Sequence, residues 1–281
     1  MQSMEIKILE LMDTKAKFIL SGAKPEIANA LRRCLMAEVP KMAIETVEFH
    51  LGPIRDEEGS EYESVSPLFD EIVAHRLGLV PIPTDLDIFA YKEKCTCGGE
   101  GCPNCTIMYS LNKKGPSEVY SGDLEPLGGP ELRVKDELIP IVKLGPGQAI
   151  LVYASAQLGT AKRHAKWQVT SGVGYKFFPK IVINHTKCDM GDACIKACPR
   201  GVIGKKDGKT VVVDPEACTL CLACVEACVT KAISVEGDKS KFIFEFETDG
   251  SLTAQKTLLK ALEILEGKFD EFKELVSTLE T

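Results

Sequence analysis

Cys218-Thr219-Leu220-Cys221-Leu222-Ala223-Cys224-Val225-Glu226-Ala227-Cys228 places four thiols within eleven residues, and an imperfect copy of it lies thirty residues upstream. The offset carries Cys188, Cys194 and Cys198 onto Cys218, Cys224 and Cys228, and Ala193, Ala197 and Ile203 onto Ala223, Ala227 and Ile233. Each copy reads as a cysteine loop followed by a short helix. Close spacing lets three thiolates wrap one side of a cubane iron–sulfur cluster, while the fourth points to the cluster of the other copy. Crossing the ligands in this way assembles one complete site from Cys198, Cys218, Cys221 and Cys224, suited to a [4Fe–4S] cluster, with zinc as the competing occupant. The other site has only Cys188, Cys194 and Cys228, because Gly191 stands where the second copy has Cys221. Three thiolates suit a [3Fe–4S] cluster. A four-iron cluster there needs an oxygen or nitrogen ligand, with Asp192, Asp189 and His185 near in sequence, and an empty site is the remaining reading.

Working outward, four more cysteines crowd into Cys95-x-Cys97-x4-Cys102-x2-Cys105. Gly98, Gly99 and Gly101 permit the tight reversal that turns all four thiolates inward, and no open ligand position is suggested. A closed, structural zinc is the reading, against a set of free or oxidised thiols. Grouped spacing of this kind argues for metal ligands rather than disulfides in a reducing compartment. Cys34, alone in an apolar helix, reads as a core thiol.

The 281 residues are 44% hydrophobic and 27% charged, with a net charge of −7, ordinary for a globular chain of two or three small domains. No apolar run of membrane-spanning length and no signal-peptide core occur, so a cytoplasmic location is expected. The acidic balance and the lack of a dense Lys/Arg cluster argue against strong direct DNA binding. No Gly-x-Gly-x-x-Gly follows a strand, and no Ser/His/Asp or paired-carboxylate set demands a catalytic role.

Alternation over 4–8 and 15–20 about Asp13-Thr14 predicts a hairpin, although Leu9 and Leu11 fall on the opposite phase. Pro25 opens a helix over about 25–38, with Ile27, Leu31, Cys34 and Leu35 at helical spacing and Pro40 beyond it. The acidic stretch 54–66 reads as an exposed loop, and 122–136 as another. A short helix over 69–77 has Ile72, Val73 and Leu77 as its apolar side, and the prolines of 79–83 require extended chain. Strands are expected at 148–158 and from Phe242 to Glu247. A long helix from about 251 carries Leu258, Leu262, Leu265, Phe269, Phe272, Val276 and Leu279 in a 4-3 repeat, a coiled-coil-like seam in need of a partner. Gly267 costs about 1 kcal/mol within it.

Asn29-Ala30-Leu31-Arg32-Arg33, Ala74-His75-Arg76-Leu77-Gly78-Leu79-Val80-Pro81 and Ala165-Lys166-Trp167 followed by Tyr175 resemble the alpha-subunit family of cellular RNA polymerases. The Cys95 loop is similar to the zinc loop of the eukaryotic third-subunit counterpart. A ferredoxin-like insertion in this framework points to the archaeal branch of the family. The resemblance implies an α+β fold. Its discontinuous dimerisation domain spans 1–45 and 237–281, interrupted by a mixed middle domain at 46–180 and a ferredoxin-like iron–sulfur domain at 181–236. It also implies a non-catalytic assembly subunit that pairs with the small subunit L and docks the two large catalytic subunits, with subunits N and P nearby and DNA met only through the complex. Ile27, Leu31, Arg32, Arg33 and the 258–276 seam are the expected partner-binding residues. An electron-transfer protein or redox-enzyme subunit is the alternative, although such a carrier has no need of the terminal seam.

Overall fold

The computed structural model describes residues 3–55 and 59–278. In chain order it begins with β1 (Glu5–Leu11), β2 (Lys15–Ser21), α1 (Pro25–Ala37), β3 (Lys41–Phe49), β4 (Pro53–Arg55), β5 (Glu61–Ser64) and α2 (Asp70–Gly78). Next come β6 (Thr106–Lys114), β7 (Ser117–Tyr120), β8 (Glu125–Pro126), β9 (Pro140–Leu144), β10 (Gln148–Gly159) and β11 (Thr170–Ile183). The mixed α+β chain ends with α3 (Ala193–Ala197), β12 (Ile203–Lys206), β13 (Lys209–Val212), α4 (Ala223–Glu226), β14 (Ile233–Thr248) and α5 (Ala254–Ser277). It divides into two compact units. One is Met1–Leu11, Ala16–Arg32 and Val173–Phe246, and the other is Met12–Lys15, Arg33–Gly172 and Glu247–Thr281.

The first unit holds a sheet in the order β1-β2-β14-β11. β1 and β2 form the expected hairpin, with Glu5 opposite Ser21 and Leu11 opposite Ala16. The change of phase at Leu9 has a structural cause. A register shift between Ile8 and Glu10 adds one residue to β1, which turns the side chains after it to the other face. Phe242, Phe244 and Phe246 of β14 are all buried at period-two spacing. Phe18 stacks on Phe244 at 5.1 Å between ring centroids, and Tyr175 meets Phe242 edge-on at 5.5 Å. Both are favourable ring geometries. β14 starts at Ile233, well before Phe242, because strand pairing continues through the polar Gly237–Ser240 stretch that resembles a turn in sequence.

The second unit is built on β10. β6 pairs along one side, from Ala149 opposite Lys114 to Gln157 opposite Thr106. β3 pairs from Val152 opposite Phe49 to Gly159 opposite Lys41, and β5 runs parallel to the start of β10. Ile107, Tyr109 and Leu111 of β6, Val152, Ala154, Ala156 and Leu158 of β10, and Val73 and Leu77 of α2 share one core. Cys34 is a buried thiol as expected, with Sγ 3.4 Å from the Ala261 carbonyl oxygen. Burial pushes its pKa up to about 11.

Three local expectations need correction. The 54–66 stretch contains β4 and β5, paired antiparallel with Ile54 opposite Tyr62; these half-buried side chains carry a strand signal that the flanking acids mask. Residues 56–58 of that stretch lie outside the described residues. Val73 and Leu77 are buried on α2, but Ile72 is 41% exposed, being turned about 100° from Val73 round the helix. Within 122–136, Glu125 and Pro126 pair with Ser110 and Tyr109, so that segment is not wholly loop.

Trp167 is fully buried and donates its indole N–H to the Gln157 carbonyl at 3.1 Å. A Cβ at Gly159 would fall 2.4 Å from its ring. Gly159→Ala is therefore expected to displace the indole and cost about 1–3 kcal/mol by overpacking, read as a lowered urea midpoint at unchanged slope.

Candidate metal centres and partner face

The loop before β6 closes four thiols on one point. Cys95, Cys97, Cys102 and Cys105 place their Sγ atoms within 4.8 Å of one another. Cys95 to Cys102 is 3.5 Å, Cys97 to Cys105 is 3.7 Å and Cys102 to Cys105 is 4.0 Å. A disulfide requires about 2.05 Å, and these cysteines are free thiols. Four sulfurs at about 2.3 Å from a tetrahedral zinc would be about 3.8 Å apart, so the spacing fits that ion. Gly98 at φ 69° and Gly99 at φ 89° supply the left-handed turns that side chains resist. Backbone N–H groups of Cys102 and Gly101 hold the Cys97 thiol down to about 5, while Cys102 in the same group, against the lowering Asn104 N–H, is pushed up to about 11 by the Cys95 sulfur and burial.

The second cysteine-rich region lies wholly in the unit that holds β11 and β14. A small pocket is lined by Cys198, Cys218, Cys221 and Cys224 with Ile181, Val202, Ile203, Leu222 and Val235 among its walls. These are the four cysteines that the crossed pattern groups together. Cys224 is pushed up first by burial and then by the charges of Cys198, Cys218 and Cys221. Cys194 is pushed up by burial, with Cys228 and Cys188 adding to it.

The two copies also share backbone detail. Met190 and Leu220, thirty residues apart, both adopt left-handed backbone, at φ 58° and 59°. So do Gly201 at 61° and Lys231 at 50°. Such conformations cost a non-glycine residue about 1–2 kcal/mol, so something in the loop must offset them. Backbone N–H groups reach the sulfurs in register: Val202 donates to Cys198 at 3.4 Å and Ala232 to Cys228 at 3.2 Å. Leu220 donates to Cys218 at 3.4 Å. Donors of this kind stabilise thiolate charge.

Sequence reasoning missed Lys176. Its ammonium donates to the carbonyls of Glu216 and Cys218 at 2.6 and 2.8 Å and so ties the Cys218 loop to β11. No motif marks a lysine in that role. The N–H donors are equally invisible, since any residue supplies one.

The residues expected to meet a partner divide into two groups. Leu31 and Leu258 are buried within the chain, while Ile27 is 36% exposed and Arg33 is exposed. Arg32 binds Asn29 Oδ1 through two nitrogens at 3.0 and 3.2 Å. On α5, Ala254, Thr257, Leu258 and Ala261 are buried and Leu265 is half-buried. Beyond them Leu262, Phe269, Phe272, Leu275 and Val276 remain open, Phe269 and Phe272 by 58% and 66%. Leu279 lies outside the described residues. Lys268, beside this stretch, pairs with Glu38 just past α1. Of the other motif residues, Arg76 donates to the Ile141 carbonyl at 2.6 Å, an internal packing role like that of Trp167. His75 lines a surface hollow with Glu45, His164 and Lys166. Among the described residues no helix is long and apolar enough to cross a membrane.

The family model for the RNA polymerase Rpb3/Rpb11 dimerisation domain matches residues 17–269. The chain is 46% identical to the DNA-directed RNA polymerase subunit Rpo3 of Picrophilus torridus, over 97% of this chain and 99% of that one. It is 48% identical to the Rpo3 subunit of Thermoplasma volcanium over 92% and 94% of the two chains. Against that of Archaeoglobus fulgidus it is 44% identical over 98% and 99%.

Proposed function

The chain belongs to the RNA polymerase Rpb3/Rpb11 dimerisation family and is an assembly subunit of DNA-directed RNA polymerase; on that premise we propose that α5 and its surroundings seat the small subunit L, and that the pair docks the large catalytic subunits, with N and P close by. The observation that carries this reading is the open apolar stripe of α5. Phe269, Phe272 and Val276 follow one another at helical 3-4 spacing with no covering element among the described residues. A stripe of this length and periodicity is the half of a helix-pair interface that a second chain completes. Arg32 and Arg33, on α1, are placed toward a large subunit in the same reading. The domain division goes with it: 1–45 and 237–281 for dimerisation, 46–180 in the middle and 181–236 as a ferredoxin-like insertion. Anaerobic co-expression with subunit L tests the proposal. A stable one-to-one complex is expected, and a chain that stays monomeric beside its partner overturns it.

Two kinds of metal centre belong to this reading. The near-tetrahedral thiol spacing supports a structural zinc at Cys95, Cys97, Cys102 and Cys105. Cys102→Ser should lower zinc from one ion per chain to none while leaving the iron content unchanged. Deleting 188–228 should do the reverse; zinc lost together with iron would count against two independent sites. The four-thiol cavity supports a [4Fe–4S] cluster on Cys198, Cys218, Cys221 and Cys224. Cys188, Cys194 and Cys228 hold the second cluster, whose three thiolates account for a [3Fe–4S] core in oxidised protein. When bound, the clusters cross-link two short copies that have little apolar core of their own.

A further inference from the structure

Resting on the four-iron reading of the site formed by Cys198, Cys218, Cys221 and Cys224, we propose that Lys176 is its positioning residue: the ammonium holds the Cys218 loop in the shape that ligates, and its charge favours the reduced form of the cluster. Lys176 stands on β11, outside the cysteine pattern. Its Nζ donates to two carbonyls of the loop, that of Glu216 at 2.6 Å and that of Cys218 at 2.8 Å. Both carbonyls thereby turn toward one cation, which pins the backbone that carries the Cys218 thiol. The entry to the loop is a turn in which Glu216 and Ala217 donate their N–H groups to Asp214 Oδ1 at 3.1 and 3.2 Å. The first copy has a turn in register, with Thr186 donating to Asn184 Oδ1 at 3.0 Å. Among the described residues, however, no side chain donates to the Thr186 or Cys188 carbonyl, so the lysine belongs to the complete copy alone. The tip of the loop rests on the same two strands. Leu220 adopts left-handed backbone at φ 59°, and its Cδ1 lies 3.5 Å from where a Cβ on Gly237 of β14 would stand; the Phe177 Cβ of β11 lies 2.8 Å from that point. Lys176 at the entry and Leu220 at the tip thus seat the loop on β11 and β14.

Charge adds to geometry. Lys176 is half-buried. Burial and Lys17 push its pKa down, and the charge of Cys218 opposes them, so the ammonium and that sulfur are close enough to act on one another. A four-iron cluster on four thiolates is anionic, and one-electron reduction adds a further negative charge. A fixed cation beside it stabilises the reduced form more than the oxidised one. The reduction potential therefore follows the charge at position 176, whereas retention of the cluster follows the two hydrogen bonds as well.

The test uses the full-length chain, reconstituted with iron and sulfide in the absence of air. Dithionite supplies the electron in a redox titration, and the reduced four-iron state is read by paramagnetic resonance; Cys221→Ala identifies the signal of this site by removing it. Lys176→Met should move the half-reduction potential to a more negative value and speed the loss of iron to a chelator by about tenfold or more. Lys176→Arg, which keeps a cation with donors, should restore the wild-type potential and slow the loss of iron again. Lys176→Gln keeps an amide donor without the charge. It should also show the more negative potential, and it reads the effect of charge where the methionine variant fails to fold. Lys180→Met, on the same strand but exposed, should behave as wild type. An unmoved potential in the neutral variants, a shift in Lys176→Arg as large as in Lys176→Met, or the same shift in Lys180→Met overturns the assignment. A lowered urea midpoint with no change in potential overturns it likewise and leaves Lys176 a structural brace. Absence of the reduced four-iron signal from wild type, or its survival in Cys221→Ala, overturns the cluster reading itself, a separate result seen before any Lys176 variant is made.

Discussion

Phe269→Asp combined with Phe272→Asp is expected to abolish pairing with the small subunit while leaving the isolated chain folded. Both rings are more than half exposed in the single chain, so their loss removes little from its own core. In the pair each ring would gain about 1.5–3 kcal/mol from burial. The substitution forfeits both contributions and places two carboxylates, without partners, against an apolar face, where each costs more still. A loss of at least about 4 kcal/mol, or roughly a thousandfold in affinity, is the minimum expectation. Analytical ultracentrifugation of the co-expressed pair reads it directly. Leu262→Asp with Leu265→Asp should also disrupt pairing, but Leu265 is half-buried, so that variant combines partner loss with damage to the helix's own seat. Unchanged association of the Phe269/Phe272 variant would remove α5 from the interface.

Cys218→Ser with Cys224→Ser should empty the complete site and unfold the cysteine-rich segment. Its shared core has only four buried aliphatic side chains, Val202, Ile203, Ile233 and Val235, beside its cysteines. The left-handed Leu220 and Leu222 add strain to the same loop. Metal-binding free energy is folding free energy in so small a unit. Amide exchange across 188–228 should therefore rise to unprotected rates, whereas the core around β10, which contains none of these residues, keeps its protection. Because β14 begins at Ile233, directly after the second copy, pairing with the partner should weaken as a secondary effect. Nucleotide addition by polymerase already assembled should be unaltered. A cluster-free variant that retains exchange protection and assembles normally would show that the clusters serve something other than stapling the fold.

What could be read from the chain alone was whatever rests on local periodicity or covalent spacing. The hairpin at 5–21, α1, α2, β10 and the terminal helix each repeat at a period of 2 or 3.6 over enough residues to be recognised. The two cysteine groupings follow from spacing, since a loop of a few residues has little freedom in where it puts its thiols. Family membership also came from short contiguous motifs.

Other features depend on contacts distant in sequence. β4 and β5 are strands because they pair with one another and β5 meets the start of β10, against the local signal of their acids. Ile72 faces outward because α2 has one covered side, and the sequence offers three apolar residues for it. The bulge at Ile8–Glu10 was visible only as a break in alternation until its partner strand gave the register. Trp167 stands in a family signature, and the residue it packs on, Gly159, is given only by the fold. At the candidate metal centres the chain named the cysteines, but tertiary structure supplied the Lys176 brace on the Cys218 loop. The reason is common to all of these: periodicity records which face a side chain takes on its own element, whereas a partner contributed from elsewhere in the chain exists only once the backbone has closed around it.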